Sequence, residues 1–119
     1  MLSLSPAIRT FVHALPADMR KHFDGLSGIV THAFGMDVLR GDYFVFLNRA
    51  CNRCKILYWD RDGLVVWAKR LERGRFQLPR RGDAASLTIE VDAVTLAMMI
   101  GGVDLETAKR RKRYRVAAG

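Results

Sequence analysis

The sequence predicts a single α+β domain in which a small antiparallel sheet packs against two helices. A chain of 119 residues is long enough for one domain. Half of its residues are apolar, which supplies a hydrophobic core and argues against wholesale disorder. Residues 43–70 contain three β-prone runs separated by turn residues, and residues 18–34 carry apolar side chains at three- and four-residue steps. These two patterns predict the main part of the sheet and the longer helix.

The first two elements are a strand near residues 7–15 and a helix over residues 18–34. The β-prone run ends at Pro16, which favours an edge strand or an extended lead-in segment. Asp18 is suited to cap the first turn of the helix, and Gly35 suits the position just after its last turn. The apolar stripe of this helix consists of Met19, Phe23, Leu26, Ile29, Val30, Ala33 and Phe34.

A three-stranded antiparallel meander is predicted over residues 43–70. Its strands are expected at residues 43–47, 54–60 and 64–70. The dipeptide Asp62-Gly63 lies between two apolar runs and is a strong signal for a hairpin turn. Residues 71–78 are predicted to continue as extended chain, with a bulge or turn at Gly74.

The aromatic side chains of the meander are most simply explained as core and cross-strand packing. In a regular strand, either Tyr58 or Trp59 faces away from the core. We expect the exposed ring to lie near Arg53 or Lys69, where it is a candidate contact for DNA or protein.

The C-terminal third contributes one more strand and one more helix. A short strand is predicted near residues 86–90, followed by a helix over residues 92–100. Asp92 is suited to cap this helix, and Gly101-Gly102 ends it. We expect both helices to cover the same face of the sheet.

Positive charge dominates the composition, with 20 Lys+Arg against 12 Asp+Glu and a formal net charge of +8. Such an excess points towards a polyanionic partner, nucleic acid first. The charge is unevenly distributed, since fourteen of the twenty basic residues lie within residues 49–75 or 109–115.

The sequence predicts a cytoplasmic protein with reduced thiols. Its N-terminus lacks the basic start and apolar core of a signal peptide. No apolar run approaches the roughly 18 residues that a membrane span needs. Cys51 and Cys54 are too few for a disulfide framework. If the protein binds DNA, we expect it to be associated with the nucleoid.

Two segments of the chain resemble long motifs of a known bacterial family. Residues 18–26, DMRKHFDGL, resemble the family motif DMRKxFDGL. Residues 58–76 resemble a second motif, YWDxxGxxxWxKRLERGRF, and Pro79 and residues 102–104 also fit. Over residues 6–105, the chain therefore resembles the TnpB-type (Orf2-like) accessory proteins of the insertion-sequence sixty-six group.

The resemblance implies a non-catalytic accessory protein for the DNA transposition of an insertion sequence. Such a protein is made beside a separate, larger transposase that carries the catalytic acidic residues. The implied partners are DNA, either at the transposon ends or without sequence preference, and the partner transposase. No cofactor is implied.

Four basic residues of the second motif, Lys69, Arg70, Arg73 and Arg75, are candidates for DNA contact. On an extended strand, Lys69, Arg73 and Arg75 would share one face, with Arg70 and Glu72 opposite. Such a row of cations suits the phosphates along a DNA strand, which give affinity without sequence preference. The alternative is a solvated face that keeps a sheet edge from aggregating.

Residues 106–119 are predicted to form a flexible basic tail after a domain of residues 1–105. The candidate DNA-binding residues of the tail are Lys109, Arg110, Arg111, Lys112, Arg113 and Arg115. Basic arms of this type often bind nucleic acid non-specifically, and Tyr114 is suited to stack on an exposed base. The alternative is a solubilising end.

Three charged residues of the first helix, Arg20, Lys21 and Asp24, are candidates for partner binding because they lie off the apolar stripe. Charge pairs on an exposed helix face can select a partner. A simpler interpretation is an intrahelical pair between Arg20 and Asp24, four residues apart. The second functional hypothesis is therefore a protein-interaction module of the transposition complex without DNA contact.

Catalysis and metal binding are the least favoured hypotheses. A metal-dependent nuclease needs carboxylates that converge on its ions. The acidic candidates are Asp24, Asp60, Asp62 and Glu72. Turn formation explains Asp60 and Asp62. Cys51 and Cys54 could begin a zinc site, but a closed site needs four ligands. We expect neither an enzyme nor a metal protein.

Overall fold

The computed structural model describes residues 2–83 and 85–102, and within them the chain forms five strands and two α-helices. The strands are β1 (Thr10–His13), β2 (Tyr43–Leu47), β3 (Arg53–Asp60), β4 (Gly63–Arg70) and β5 (Thr88–Val91). The helices are α1 (Phe23–Ile29), which continues into a π-helical turn (Val30–Phe34), and α2 (Ala93–Gly101); a 3-10 turn spans Val38–Arg40. All five strands join one sheet, in the order β4-β3-β2-β1-β5. The predicted α+β class is confirmed.

The meander of β2, β3 and β4 is present as predicted, but its second turn lies one residue earlier than expected. Asp60 pairs with Gly63, so that Arg61 and Asp62 form the two-residue connection. Arg61 adopts the left-handed conformation, with φ 54°. The register of β3 on β4 follows from this turn and places Arg53 directly opposite Arg70.

Strand β1 lies inside the sheet, and the prediction of an edge strand is wrong. β1 pairs in parallel with β2 and antiparallel with β5, so the sheet is mixed rather than purely antiparallel. All four residues of β1 are buried. A parallel neighbour requires the chain to cross over between the two strands, and α1 lies in that crossover.

The two helices pack on opposite faces of the sheet, and the prediction that both cover one face is wrong. Leu26 of α1 lies in a core with Phe11, Phe44, Phe46 and Leu57 of the sheet. Leu96 and Met99 of α2 belong to a second core, formed with the other face. All five residues of β2 are buried, as expected for a strand covered on both faces.

The helix predicted over residues 18–34 is shorter at its start than expected. Residues 18–22 precede α1, and the carboxylate of Asp18 accepts a hydrogen bond from the backbone N–H of Arg20 at 2.9 Å instead of capping the helix. Gly35 ends the π-helical turn with φ 64°, in the role predicted for it. Phe23, expected on the apolar stripe, is 40% exposed.

Helix α2 begins and ends close to the predicted positions. The Asp92 carboxylate accepts a hydrogen bond from the Thr95 N–H at 2.7 Å, and Gly102 follows the helix with φ 87°. Neither helix in the described part of the chain has the length and apolar character to cross a membrane.

Candidate functional site

The segments that follow β2 and β4 meet at one end of the sheet. The N–H of Leu71 donates to the carbonyl of Asn52 at 2.7 Å, and the N–H of Phe76 donates to the carbonyl of Cys51 at 2.6 Å. The Phe76 side chain is only 2% exposed and packs in the core on the α2 face. Residues 71–76 are therefore fixed to the β2–β3 loop without being a strand.

The turn predicted at Gly74 is confirmed, but the shared face of Lys69, Arg73 and Arg75, which needs a continuous extended strand, is wrong. β4 ends at Arg70, and the chain bends over residues 72–74. Gly74 has φ 81°, a conformation that glycine adopts at little cost. This bend turns the chain back so that Phe76 reaches the core.

Six exposed cations nevertheless gather where these segments meet, and we call this group the basic end. It consists of Arg49, Arg53, Lys69, Arg70, Arg73 and Arg75. Residues 49–53 and 69–75 together contain one carboxylate, that of Glu72, which pairs with Arg70 at 2.9 Å. The two stretches therefore keep a strong excess of positive charge.

A cross-strand pair of like charges lies within the basic end. Arg53 and Arg70 are directly opposite each other on β3 and β4, and both are exposed. Like charges in this position destabilise a sheet. An anion bound between the two guanidinium groups would relieve the repulsion, and guanidinium groups match the geometry of phosphate oxygens.

Lys69 is engaged by the fold. Its ammonium group donates a hydrogen bond to the Ile100 carbonyl at 2.9 Å, near the end of α2. A lysine is favourable there because the last carbonyls of a helix lack partners within it. Lys69 therefore lies on the α2 face, whereas Arg70 projects from the opposite face of β4.

Lys55 joins the first motif to the sheet. Its ammonium group donates to the carbonyls of Met19 and Lys21, each at 2.8 Å. The side chain is 8% exposed, and this burial lowers the pKa of Lys55, with a further lowering from the charge of Arg53. Sequence analysis did not single out Lys55. A lysine inside an apolar strand, on the face that packs against a helix, is the signal that could have found it.

The two motifs contribute to one cleft of about 230 Å³. Its lining includes Met19 from the first motif, Arg53 and Lys55 from β3, and Ala68, Lys69 and Arg70 from the second motif. Segments far apart in sequence thus form one wall of the basic end.

The three candidate partner-binding residues are all exposed, but their predicted pairing is wrong. The guanidinium of Arg20 pairs with Asp18 at 2.8 Å rather than with Asp24. Its hydrogen bonds lower the pKa of Asp18 to about 2. Because α1 begins only at Phe23, Arg20 lies outside the helix while Asp24 lies in its first turn. Lys21 lies beside them, with its carbonyl held by Lys55.

The exposed aromatic side chain is far from its predicted surroundings. Tyr58 is buried, with its ring 4.8 Å from that of Tyr43. Trp59 is half-buried and pairs with Leu64, six residues along β3 from Arg53. The expectation that this ring lies near Arg53 or Lys69 is therefore wrong.

The thiols and carboxylates do not converge in the described part of the chain. Cys51 has φ 56° in the β2–β3 loop, Cys54 is buried, and neither of the two cysteines forms a disulfide. Within residues 2–83 and 85–102, no three His, Cys, Asp or Glu side chains come together to hold a metal ion. Asp60 and Asp62 lie at the opposite end of β3 and β4 from Glu72.

The tail residues from Lys109 to Arg115 lie outside the described residues. The predicted domain boundary at residue 105 lies outside them as well. The DNA-contact hypothesis for the tail therefore stays a prediction.

Fold and surface together define a small basic α+β protein with one strongly cationic end. Over residues 8–110 the chain matches the family profile described as IS66 Orf2 like protein, and it belongs to that family. The family suggests an accessory protein of transposition. It thereby supports the resemblance found in the two motifs.

Two proteins of Sinorhizobium fredii (strain NBRC 101917 / NGR234) are similar to the chain. Uncharacterized protein y4jC is 32% identical over 111 residues, which cover 93% of this chain and 92% of that protein. Uncharacterized protein y4hO is 30% identical over 104 residues, covering 87% of this chain and 88% of that protein. No solved structure matches the chain.

Proposed function

We propose that this protein is a non-catalytic accessory factor of insertion-sequence transposition that binds the DNA backbone through its basic end. The observation that carries the proposal is the juxtaposition of Arg53 with Arg70. Glu72 pairs with Arg70 and offsets only one of the two positive charges, and a phosphate between the two guanidinium groups would turn the remaining repulsion into attraction.

The arrangement of the basic end favours phosphate contact over base recognition. Arg49, Arg53, Arg70 and Arg73 are exposed and project from loops and strand ends rather than from a helix. An α-helix or a two-stranded ribbon is the usual element that enters the major groove. We therefore expect affinity that depends on salt and little on sequence, with the tail Lys109–Arg115 adding further phosphate contacts.

A salt titration tests this proposal. Binding of the purified protein to transposon-end DNA and to random DNA is followed by fluorescence anisotropy at increasing salt. We expect similar affinities for both, with a steep fall as salt rises. The double variant Arg73→Gln, Arg75→Gln should weaken binding equally on both DNAs and reduce the salt slope by about 2.

The matched control removes two positive charges elsewhere. Arg9 pairs with Glu90 across β1 and β5, and Arg61 lies in the turn at the far end of β3 and β4. The variant Arg9→Gln, Arg61→Gln has the same net charge as the test variant and should keep the salt slope. Equal losses in both variants, or no binding at low salt, would overturn the assignment of the basic end.

The partner transposase is the second proposed partner, through Arg20, Lys21 and Asp24. The two hydrogen bonds from Lys55 to the carbonyls of Met19 and Lys21 favour this contact, because they fix the backbone that carries these exposed charges. Co-purification with the transposase after nuclease treatment tests the contact. Arg20→Glu with Lys21→Glu should abolish co-purification, whereas retention of the complex would exclude this surface.

A further inference from the structure

Strand β4 leaves a long edge of the sheet open. It has eight residues, and in the described part of the chain its outer side has no strand partner. The central residues Leu64, Val65, Val66 and Trp67 are apolar and only half-buried. Strands of this kind pair readily with another chain unless charge, proline or a bulge protects them. The edge strand at the other side, β5, has only four residues.

The hydrogen-bonding pattern identifies which groups of β4 point outward. The Leu71 N–H donates to Asn52 across the β3–β4 ladder. Backbone groups alternate in direction along an antiparallel strand, so residues 63, 65, 67 and 69 also face β3. The N–H and C=O groups of Leu64, Val66, Ala68 and Arg70 therefore face outward and are available to a further strand.

Charge is separated along this edge. The turn where β4 begins carries two carboxylates, Asp60 and Asp62, and one cation, Arg61, so it is acidic on balance, whereas Lys69 and Arg70 lie where β4 ends. A second copy of β4 that pairs antiparallel brings the acidic turn of each copy to the basic end of the other. A parallel pair would instead place like charges side by side.

We propose that the protein forms a symmetric dimer in which two β4 strands pair antiparallel, with Val66 on the two-fold axis. In this register the hydrogen-bonded pairs join outward-facing residues, Leu64 with Ala68 and Val66 with itself. The register brings Arg70, the last residue of β4, to the turn before β4 of the second copy, where Asp62 lies, and it does so twice in the dimer. Shifting the axis to Trp67 would lose this contact, because Arg70 would then face Leu64. Shifting it to Val65 would carry Arg70 past the turn, because Asp60 belongs to β3 and not to the outer edge. The five-stranded sheet becomes a continuous sheet across both copies.

Charge reversal tests this register sharply. Within one chain, Asp62 lies in the turn just before β4 and Arg70 is the last residue of that strand, about 26 Å away at the usual rise per residue, so the two side chains cannot touch. We expect a dimer by sedimentation equilibrium between about 1 and 100 μM protein, a range suited to a small interface. Asp62→Arg or Arg70→Asp alone should raise the dissociation constant about tenfold, because like charges then meet at both ends. The double variant should recover the wild-type value.

Two further variants test whether the outer edge of β4 forms the dimer interface. Asp24→Arg makes the same charge reversal on α1 and should not change dimerisation. Val66→Pro removes the outward N–H at the axis while leaving the bonds between β3 and β4, so it should yield a folded monomer by circular dichroism and sedimentation. A wild-type monomer at the highest concentration would overturn the proposal, even if a strand of another protein were found to bind the edge. Additive losses in the double variant, or a dimer that survives Val66→Pro, would also overturn it.

Discussion

A single buried lysine fixes the first motif, and its removal should be costly. In Lys55→Met, the carbonyls of Met19 and Lys21 lose their shared donor while the apolar stem is retained. Because a buried polar group without a partner is unfavourable, we expect the free energy of unfolding to fall by about 2 kcal/mol in urea titrations. Lys69→Met, which removes one exposed bond to Ile100, should cost less than about 1 kcal/mol. Equal losses in the two variants would contradict this role of Lys55.

His13 should make stability depend on pH. Its ring stacks on Phe34 at 5.4 Å, and its Nδ1 atom has no hydrogen-bond partner in the part of the chain that the structure describes. Burial lowers the pKa of His13 below the ordinary 6.5. As pH falls through 6.5, the unfolded chain takes up a proton that the folded chain does not, so the free energy of unfolding falls.

Denaturation between pH 7 and pH 5 measures this effect. We expect His13→Phe, which keeps an aromatic ring against Phe34, to flatten the fall in stability over this range. The matched variant His32→Phe, at an exposed position, should retain the wild-type slope. A wild-type slope in His13→Phe would show that other groups cause the pH dependence.

At the scale of elements, the segment 71–76 depends on one buried ring. Phe76→Ala should lower the free energy of unfolding by about 3–5 kcal/mol, the usual range for loss of a buried phenylalanine. In Phe76→Ala, amide hydrogen exchange should become faster at Leu71 and Phe76, and the affinity for DNA should decrease. Phe23→Ala, at a side chain that is 40% exposed, provides the same substitution with a smaller expected loss. Slow exchange at both amides in Phe76→Ala would contradict the anchoring role.

Local patterns predicted the elements well where the chemistry is local. Helix α2 followed from its apolar spacing, with Asp92 as its cap and glycine at its end. The prediction places the turn between β3 and β4 one residue too late. This small error matters because moving a hairpin turn by one residue shifts the partner of every β3 residue on β4 by two residues. With the predicted turn, Arg53 would have faced Glu72, an ordinary ion pair. The observed register sets it against Arg70, so the like-charge pair was not visible in the sequence.

At the scale of the whole molecule, the sequence predicted the class of the fold but not its layering. Spacing within β1 or within α1 carries no information about which strand becomes a neighbour or which face a helix covers. The buried run of β2 was a usable signal, because a strand that is apolar on both faces needs cover on both sides. The sequence identified the basic residues of the second motif but only part of the candidate site. Arg49 joins these residues through the β2–β3 loop, and Arg53 joins them through its pairing with Arg70 on β4.

The place of β1 has a consequence for synthesis on the ribosome. Thr10 pairs with Tyr43 on one side and with Val91 on the other, so β1 receives its second neighbour only after the ribosome has made the chain as far as β5. Pairings this distant in sequence slow folding because the loop must close first. The nascent chain therefore carries an apolar strand with an open side until β5 has been made. A copy of the gene truncated before β5 should yield a polypeptide that aggregates or is degraded.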